Sequence, residues 1–220
     1  CKGIHLKNNR DHPVPIIAGN VSFYNGSKMG AIPPSPIISC LGRLADVNKA
    51  ITSGFKETDS AIMLVGKRKD ELGGGAYYAL FDALGKNIPR PNLAIVEAEI
   101  WALTDLIDGG LVLAAHDISD GGVAVALAEM SFENDIGFEI EIEHDMRADK
   151  WLFSQTGGFV LEIDKINVPA IISIMSSYKI PITELGRTSA HHVMEFGDVI
   201  YIPLARVKDC WSRGLRDKLK

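Results

Sequence analysis

Residues 111–130 read LVLAAHDISDGGVAVALAEM and contain three patterns in immediate succession. The apolar run 111–115 has the length and the flanking residues of a buried strand. Polar residues and two glycines occupy 116–122, and the run 123–130 has the composition of a buried helix. The stretch therefore predicts a strand, a polar loop and a helix, with the polar side chains of the loop at the helix N-terminus.

Helices and strands are mixed through the surrounding sequence. Residues 93–108 predict a helix that begins after Asn92, an N-cap residue, and ends at two glycines. A short helix is predicted from the Gly-rich turn at 73–75 to about Leu84, and another over 168–178. Predicted strands cover 61–65, 111–115, 137–143, 158–163, 182–186, 193–196 and 199–202, the last two joined as a hairpin by Gly197 and Asp198. This order predicts an α+β fold rather than a regular βαβ series.

The first part of the chain has a different pattern. Two extended segments, 13–24 and 37–44, flank a loop that contains a turn-forming Asn-Gly pair and three prolines. A polar stretch at 48–59 separates them from the mixed pattern that follows. The sequence therefore predicts a domain boundary near residue 50, between domains 1–50 and 51–220.

The composition is that of a globular protein. The chain has 220 residues, of which 46% are hydrophobic and 23% are charged, and its formal net charge is −5. This charge argues against binding to nucleic acid or to an anionic membrane surface. No apolar run approaches the roughly 20 residues that span a bilayer. The three cysteines lack disulfide or zinc spacing. The chain opens without Met or a signal segment, and we expect it to be a piece of a longer protein.

A first candidate site lies in the segment Ala-Gly-Asn-Val-Ser that begins at residue 18. Gly19 permits close approach to the backbone, Asn20 offers an amide oxygen, and Ser22 offers a hydroxyl. If the segment is a strand end, Asn20 and Ser22 point to the same face. The pattern alone is more typical of a strand end with an Asx-type turn, which is a purely structural interpretation.

A second candidate is the motif HDISDGG at 116–122. Asp117 and Asp120 are able to share a cation, and the helix N-terminus attracts anions. The structural alternative is that Ser119 or Asp120 caps the helix and that His116 is a satisfied buried side chain. We expect the motif to order the strand-to-helix junction rather than to perform catalysis, and we assign no catalytic residue in this chain.

Three other features carry weaker signals. The glycines at 73–75 lack the pattern of a P-loop or of a dinucleotide fingerprint, and are typical of a flexible turn. The basic residues at 67–69 are predicted to form a solvated loop. His191 and His192 face opposite ways if they lie in a strand, so they do not readily share a metal.

The motifs together resemble the second half of the large subunits of phosphoribosylformylglycinamidine synthase. The resemblance rests on GNVSFYN, the Pro-rich loop followed by IISCLGRLADV, DSAIMLVG, LGGG before a helix, and AHDISDGGVAVALAEM. It extends over nearly the whole chain, including Trp211 in a terminal helix. HDISDGG alone indicates only the wider aminoimidazole ribonucleotide (AIR) synthetase superfamily, whereas GNVSFYN is specific to the synthase.

The resemblance implies a fold and a site. Residues 51–220 are expected to be an AIR-synthetase-like C-terminal domain, and residues 1–50 the last part of an N-terminal-like ATP-binding domain. Enzymes of this family use ATP and Mg²⁺ to activate the amide oxygen of formylglycinamide ribonucleotide, which ammonia from glutamine then replaces. By resemblance, Gly19 lies at ATP, Asn20 is a magnesium ligand and Ser22 contacts the ribonucleotide.

The same resemblance implies partners. These are the N-terminal half of the enzyme, a glutaminase subunit or domain, and a small accessory subunit. The resemblance also implies a location in the cytoplasm. The chain alone is expected to be inactive, because the N-terminal half carries most ligands, and to self-associate through exposed strand edges. The alternatives are a non-catalytic interaction or scaffold domain, or another ATP-dependent enzyme of the superfamily.

Three positions depart from the family pattern. The usual LGGSEY appears as LGGGAYY, which places Gly75 and Ala76 where a hydroxyl and a carboxylate are expected. The usual LFSE appears as LFSQ, which places Gln155 where another carboxylate is expected. These departures leave open whether the C-terminal domain retains a ligand pocket.

Overall fold

The computed structural model describes residues 3–20, 26–32, 35–142 and 145–219. The chain divides into two units, Cys1–Ala50 and Ile51–Lys220. This division coincides with the change of sequence pattern near residue 50.

The described residues of the first unit form two short antiparallel strand pairs. Strand β1 (His5–Leu6) pairs with β2 (Asn9–Pro13), and β3 (Gly26–Ser27) pairs with β4 (Gly30–Ala31). The prediction of long extended strands is wrong for the described residues, because 14–20 and 37–44 have no regular secondary structure. Residues 21–25 lie outside the described ranges.

Apolar side chains of these two segments are exposed to solvent. Ile16 and Ile17 are 77% and 78% exposed, and Ile37 and Ile38 are 93% and 88% exposed. A strand requires a neighbour that pairs with its backbone N–H and C=O groups. Within the described part of this unit, neither segment has such a neighbour, so apolar composition alone did not produce a strand.

The second unit is built on one seven-stranded sheet. Its order is β11-β10-β7-β9-β5-β8-β6, and all neighbours are antiparallel except β7 and β10. The strands are β5 (Ala61–Val65), β6 (Ala114–Asp117), β7 (Gly137–Ile140), β8 (Phe159–Ile163), β9 (Ile182–Ser189), β10 (Val193–Phe196) and β11 (Ile200–Pro203). The predicted α+β class is confirmed.

Within the described residues, six α-helices accompany the sheet. They are α1 (Ala76–Ala79), α2 (Leu93–Asp108), α3 (Gly122–Phe132), α4 (Ala148–Phe153), α5 (Val168–Ser177) and α6 (Leu204–Lys218). Helix α2 begins as predicted, since the Asn92 side chain accepts hydrogen bonds from the backbone N–H groups of Ala94 and Ile95. The predicted helix after residue 75 is a single turn. Helix α4 was not predicted, because six residues are too few to show a helical period.

The interior strand β5 is buried on both faces. Ile62 and Leu64 pack in a core with α3, whereas Met63 and Val65 pack in a second core with α2 and α5. Because neighbouring strand residues point to opposite faces, a strand covered on both sides is apolar at every position. The sheet is therefore the middle layer between two helical layers.

Strand β6 begins and ends later than predicted. Its pairing with β8 runs from Ala114 opposite Glu162 to Asp117 opposite Phe159. His116 and Asp117 are consequently strand residues and not part of the loop. Hydrogen bonding to β8 sets this register, which the apolar run at 111–115 does not specify.

Candidate functional site

Three loops meet at one end of the sheet. Strand β5 ends at Val65 and strand β6 ends at Asp117, and both residues lie opposite Phe159, the first residue of β8. We name the adjoining segments loop A (66–75), loop B (118–122) and loop C (154–158), and their common location the three-loop end. Each loop contains glycine, and loop B belongs to the HDISDGG motif.

Loop A is attached to loop C by a buried arginine. Arg68 is only 6% exposed, and its guanidinium donates to the carbonyl oxygens of Trp151 at 3.4 Å, Thr156 at 2.8 Å and Ser154. Burial lowers the pKa of Arg68 to about 10. The prediction of a solvated basic loop is therefore wrong for Arg68. The N–H groups of its guanidinium donate to backbone carbonyl oxygens of buried residues instead of to water.

Hydroxyl groups provide a second connection between these loops. Ser154 Oγ donates to the carbonyl oxygen of Lys69 and accepts from the backbone N–H of Glu71 at 3.0 Å. Thr156 Oγ1 donates to Glu71 Oε2 at 2.9 Å. Side chains of both loops therefore contribute to the contact: Arg68 and Glu71 from loop A, and Ser154 and Thr156 from loop C.

Loop B leads into α3 through glycine and not through a capping side chain. The N-cap of α3 is Gly121, in the left-handed region with φ +80°, and it makes no side-chain cap hydrogen bond. The backbone N–H of Gly122 donates to the carbonyl oxygen of Ser119 at 3.0 Å. The prediction that Ser119 or Asp120 caps the helix is wrong, because the positive φ of Gly121 turns the chain into the helix by another route.

The polar side chains of the motif divide into two groups. Asp117, Ser119 and Asp120 are exposed at the three-loop end. His116 is directed elsewhere: its Nδ1 lies 2.7 Å from the carbonyl oxygen of Asp117, and its Nε2 lies 3.3 Å from Glu129 Oε2. The structural interpretation of His116 as a satisfied side chain agrees with these contacts.

Glu129 extends this contact to the last helix. Its Oε1 accepts a hydrogen bond from the indole N–H of Trp211 at 3.1 Å, and the Trp211 ring also lies 5.3 Å from that of Phe132. One carboxylate thus links the strand before loop B with α6.

The three departures from the family pattern meet at the three-loop end. With its amide oriented to satisfy the nearby donors, Gln155 accepts hydrogen bonds from the backbone N–H of Ala76 at 2.9 Å and of Gly121 at 3.1 Å. A Cβ atom at Gly75 would lie 3.1 Å from the Gln155 amide carbon. Sequence analysis identified these residues only as separate differences, since nothing in the sequence shows that they are neighbours.

Two of the three candidate residues of the first unit, Gly19 and Asn20, lie in the part of the chain that the structure describes. Gly19 and Asn20 are exposed and belong to no helix or strand, so the predicted strand end is wrong for both. Ser22 lies outside the described residues. Across the described ranges, no group of three or more His, Cys, Asp or Glu side chains is placed to hold a metal ion.

A shallow polar pocket lies beside loop A. Lys150 Nζ, at its wall, lies 2.5 Å from Asp70 Oδ2, so these two charges satisfy each other. The residues that line the pocket are Asp70, Leu72, Gly73, Tyr78, Lys86, Asn87 and Lys150.

None of the helices in the described ranges combines the length and the apolar character that a membrane crossing requires.

Comparison with known proteins identifies similar chains and folds. Residues 57–198 match the family model of the AIR synthase related protein, C-terminal domain. The phosphoribosylformylglycinamidine synthase subunit PurL of Methanothrix thermoacetophila is 38% identical over 226 residues, which is 100% of this chain and 29% of the relative. PurL of Thermoplasma volcanium is 36% identical over 94% of this chain and 27% of the relative. The chain therefore spans less than a third of these relatives.

Among solved structures, T. maritima PurL complexed with FGAR has a TM-score of 0.66 at 18% identity, over 74% of this chain and 30% of that chain. This likeness concerns the fold. Since the family model covers well over half of the sequence, the chain belongs to the AIR synthase related proteins and contains their C-terminal domain.

Proposed function

We propose that this chain is the C-terminal part of a phosphoribosylformylglycinamidine synthase, an ATP-dependent ligase of purine biosynthesis. The observation that carries the proposal is the 38% identity to a PurL subunit over the whole chain. The solved neighbours are PurL in complex with FGAR and PurL in complex with ATP, which supports formylglycinamide ribonucleotide and ATP as the substrates of the longer protein. Ammonia derived from glutamine would replace the activated amide oxygen.

Each unit has a separate role in this proposal. Ile51–Lys220 supplies the α+β domain with the three-loop end, and Cys1–Ala50 supplies part of an ATP-binding domain. The exposed apolar residues of the first unit support this assignment, since such segments are stabilised when neighbouring strands cover them. We further propose that the longer protein is located in the cytoplasm.

The proposal includes partner proteins. They are an N-terminal half of the same enzyme, a glutaminase and a small accessory subunit. A solved neighbour described as PurLQS from Thermotoga maritima supports an assembly of this kind. The same exposed apolar segments also support self-association of the isolated chain.

Among the described residues, no complete magnesium site is present. Asn20 offers one neutral oxygen, whereas Mg²⁺ takes about six oxygen ligands in octahedral geometry. The described residues contain no cluster that would complete this set. We propose that a magnesium ion bound by Asn20 takes its other ligands from the rest of the longer protein.

Enzyme assays test the function directly. We expect the longer protein to hydrolyse ATP in the presence of formylglycinamide ribonucleotide and ammonia, and the 220-residue chain to show no such turnover. Omitting the ribonucleotide is the control. If the longer protein were inactive but still bound its partner subunits, the result would favour a scaffold domain. If the 220-residue chain alone turned over substrate, Gly19, Asn20 and Ser22 would not be the whole site.

Substitutions of Asn20 and Ser22 in the longer protein test the proposed site residues. Asn20→Ala removes one oxygen ligand, so we expect lower turnover and a higher magnesium requirement. Ser22→Ala removes one hydrogen bond to the ribonucleotide, worth roughly 0.5–1.5 kcal/mol, so we expect a several-fold higher KM at an unchanged magnesium requirement. Magnesium and substrate are titrated separately for each variant. Identical behaviour of the two variants would contradict the assignment.

A further inference from the structure

We infer that Gln155 is a positioning residue, which holds the start of α1 and the start of α3 in a fixed relation and thereby places loop B. It is half-buried in loop C, between the two segments that it joins. This inference depends on the proposed function in one respect: it assumes that the three-loop end has a role in the proposed enzyme.

The contacts of the Gln155 amide are the first argument. One oxygen accepts from two backbone N–H groups, those of Ala76 and Gly121, which are 45 positions apart in the sequence. Neither N–H is used inside its own helix, since both lie at helix starts, where backbone donors lack intrahelical partners. A single side chain therefore satisfies two otherwise unsatisfied donors and connects their segments.

The packing of Gly75 is the second argument. Its backbone is extended, with φ −85° and ψ 167°, so its conformation does not require glycine. A Cβ atom there would nevertheless lie 3.1 Å from the Cδ atom of Gln155, 3.2 Å from the amide oxygen in the orientation described above, and 3.2 Å from the carbonyl oxygen of Leu72. The absence of a side chain at position 75 is what leaves room for the Gln155 amide.

The surrounding contacts make loop C a firm support for this amide. Arg68 donates to the carbonyl oxygens of Ser154 and Thr156, which precede and follow Gln155, and the carbonyl oxygen of Gly158 accepts from the N–H of Ile118 at 2.9 Å. Loop B, whose Asp120 side chain is exposed, is thus anchored at Ile118 and at Gly121. Loss of the Gln155 contact would free the second of these anchors.

Hydrogen exchange tests the contact itself. In the longer protein, Gln155→Met keeps the size of the side chain and removes the acceptor. We expect exchange at the amides of Ala76 and Gly121 to accelerate roughly 3- to 10-fold, the range that corresponds to one net hydrogen bond. Gln155→Glu retains two oxygen acceptors and should restore protection. Lys67→Met is the control, because it places the same side chain at an exposed position of loop A.

Gly75→Ala gives an independent variant that leaves Gln155 unchanged. Its new methyl group should displace the amide and accelerate exchange at Gly121, and this acceleration should be largely absent when Gln155 is already alanine. Unchanged exchange at both amides in Gln155→Met would overturn the inference. Equal acceleration of all core amides would also overturn it, because the residue would then contribute only to general stability.

Kinetics separates positioning from stability. We expect Gln155→Met to lower kcat by roughly tenfold to a hundredfold with little change in KM, and Gln155→Glu to recover most of the loss. Normal kcat in Gln155→Met together with faster exchange at Gly121 would overturn the positioning role. If the wild-type protein lacked synthase activity, the proposed function would fail, whereas the exchange results would still decide the role of Gln155.

Discussion

Arg68→Met should lower the free energy of unfolding of the Ile51–Lys220 unit by about 3 kcal/mol or more. The substitution keeps the aliphatic part of the side chain but removes the donors that serve the carbonyl oxygens of Trp151, Ser154 and Thr156. Each buried acceptor left unsatisfied costs roughly 1–3 kcal/mol. The measurement is the urea dependence of unfolding, followed by fluorescence and by protease resistance.

The control for this prediction is Lys67→Met, whose side chain is exposed in the same loop and which should change stability by about 0.5 kcal/mol at most. Arg68→Lys separates charge from geometry. An ammonium group has three donors at one point and does not reproduce a planar fork, so we expect this variant to recover only part of the loss. Full recovery by lysine, or a small effect of methionine, would show that the carbonyl contacts contribute little.

Gly122→Ala is expected to have a comparably large effect. Gly122 has φ +72°, and a Cβ atom there would lie 2.5 Å from the carbonyl oxygen of Leu152 and 2.7 Å from the carbonyl carbon of Phe153. The left-handed conformation costs roughly 1–2 kcal/mol for alanine, and overpacking against backbone adds about 1–3 kcal/mol. Thermal unfolding should show the loss as a lower Tm.

Gly121→Ala is the matched comparison for this site. Gly121 has a similar φ of +80°, but its Cβ atom would meet the side chain of Val125 at 2.3 Å and not backbone. A side chain is able to change rotamer, so we expect Gly121→Ala to lower the Tm clearly less than Gly122→Ala. Equal losses would show that backbone conformation, and not the close approach of α4, determines the requirement for glycine.

The elements of the second unit were predictable where one short stretch contains the whole signal. Strand β5 is apolar at every position, and α2 combines a helical period with Asn92 at its start. For the described residues of the first unit, the predicted extended segments were wrong, since a strand depends on partners that its own sequence does not contain. The predicted bounds of β6 were wrong for the same reason, because its pairing with β8 sets its register.

Buried charge was the second limit of sequence analysis. Arg68 belongs to a basic run, yet only this member of the run is buried. Glu162 lies in a correctly predicted strand and is completely buried, where it accepts from the backbone N–H groups of Lys56 at 2.7 Å and Glu57 at 2.9 Å. Burial raises the pKa of Glu162, although these N–H groups act in the opposite direction. Composition does not reveal such partners, because they are distant in sequence.

The candidate site was located in part. Sequence analysis identified HDISDGG as a strand-to-helix junction, and the structure places that junction at the three-loop end. The assignment of a cap to Ser119 or Asp120 failed, because Gly121 provides the turn. Gln155 was recognised as unusual, but its contact with loop B depends on tertiary packing.

The position of β5 in the sheet has a consequence for how the chain folds as it is synthesised. This strand is the first of the seven to be made, yet both of its neighbours, β8 and β9, follow only in the later part of the sequence. Its wholly apolar residues 61–65 therefore leave the ribosome long before they are able to pair. Such distant pairings slow folding and prolong the exposure of aggregation-prone segments. We expect the yield of folded protein to depend on chaperones that bind nascent chains and on the rate of translation.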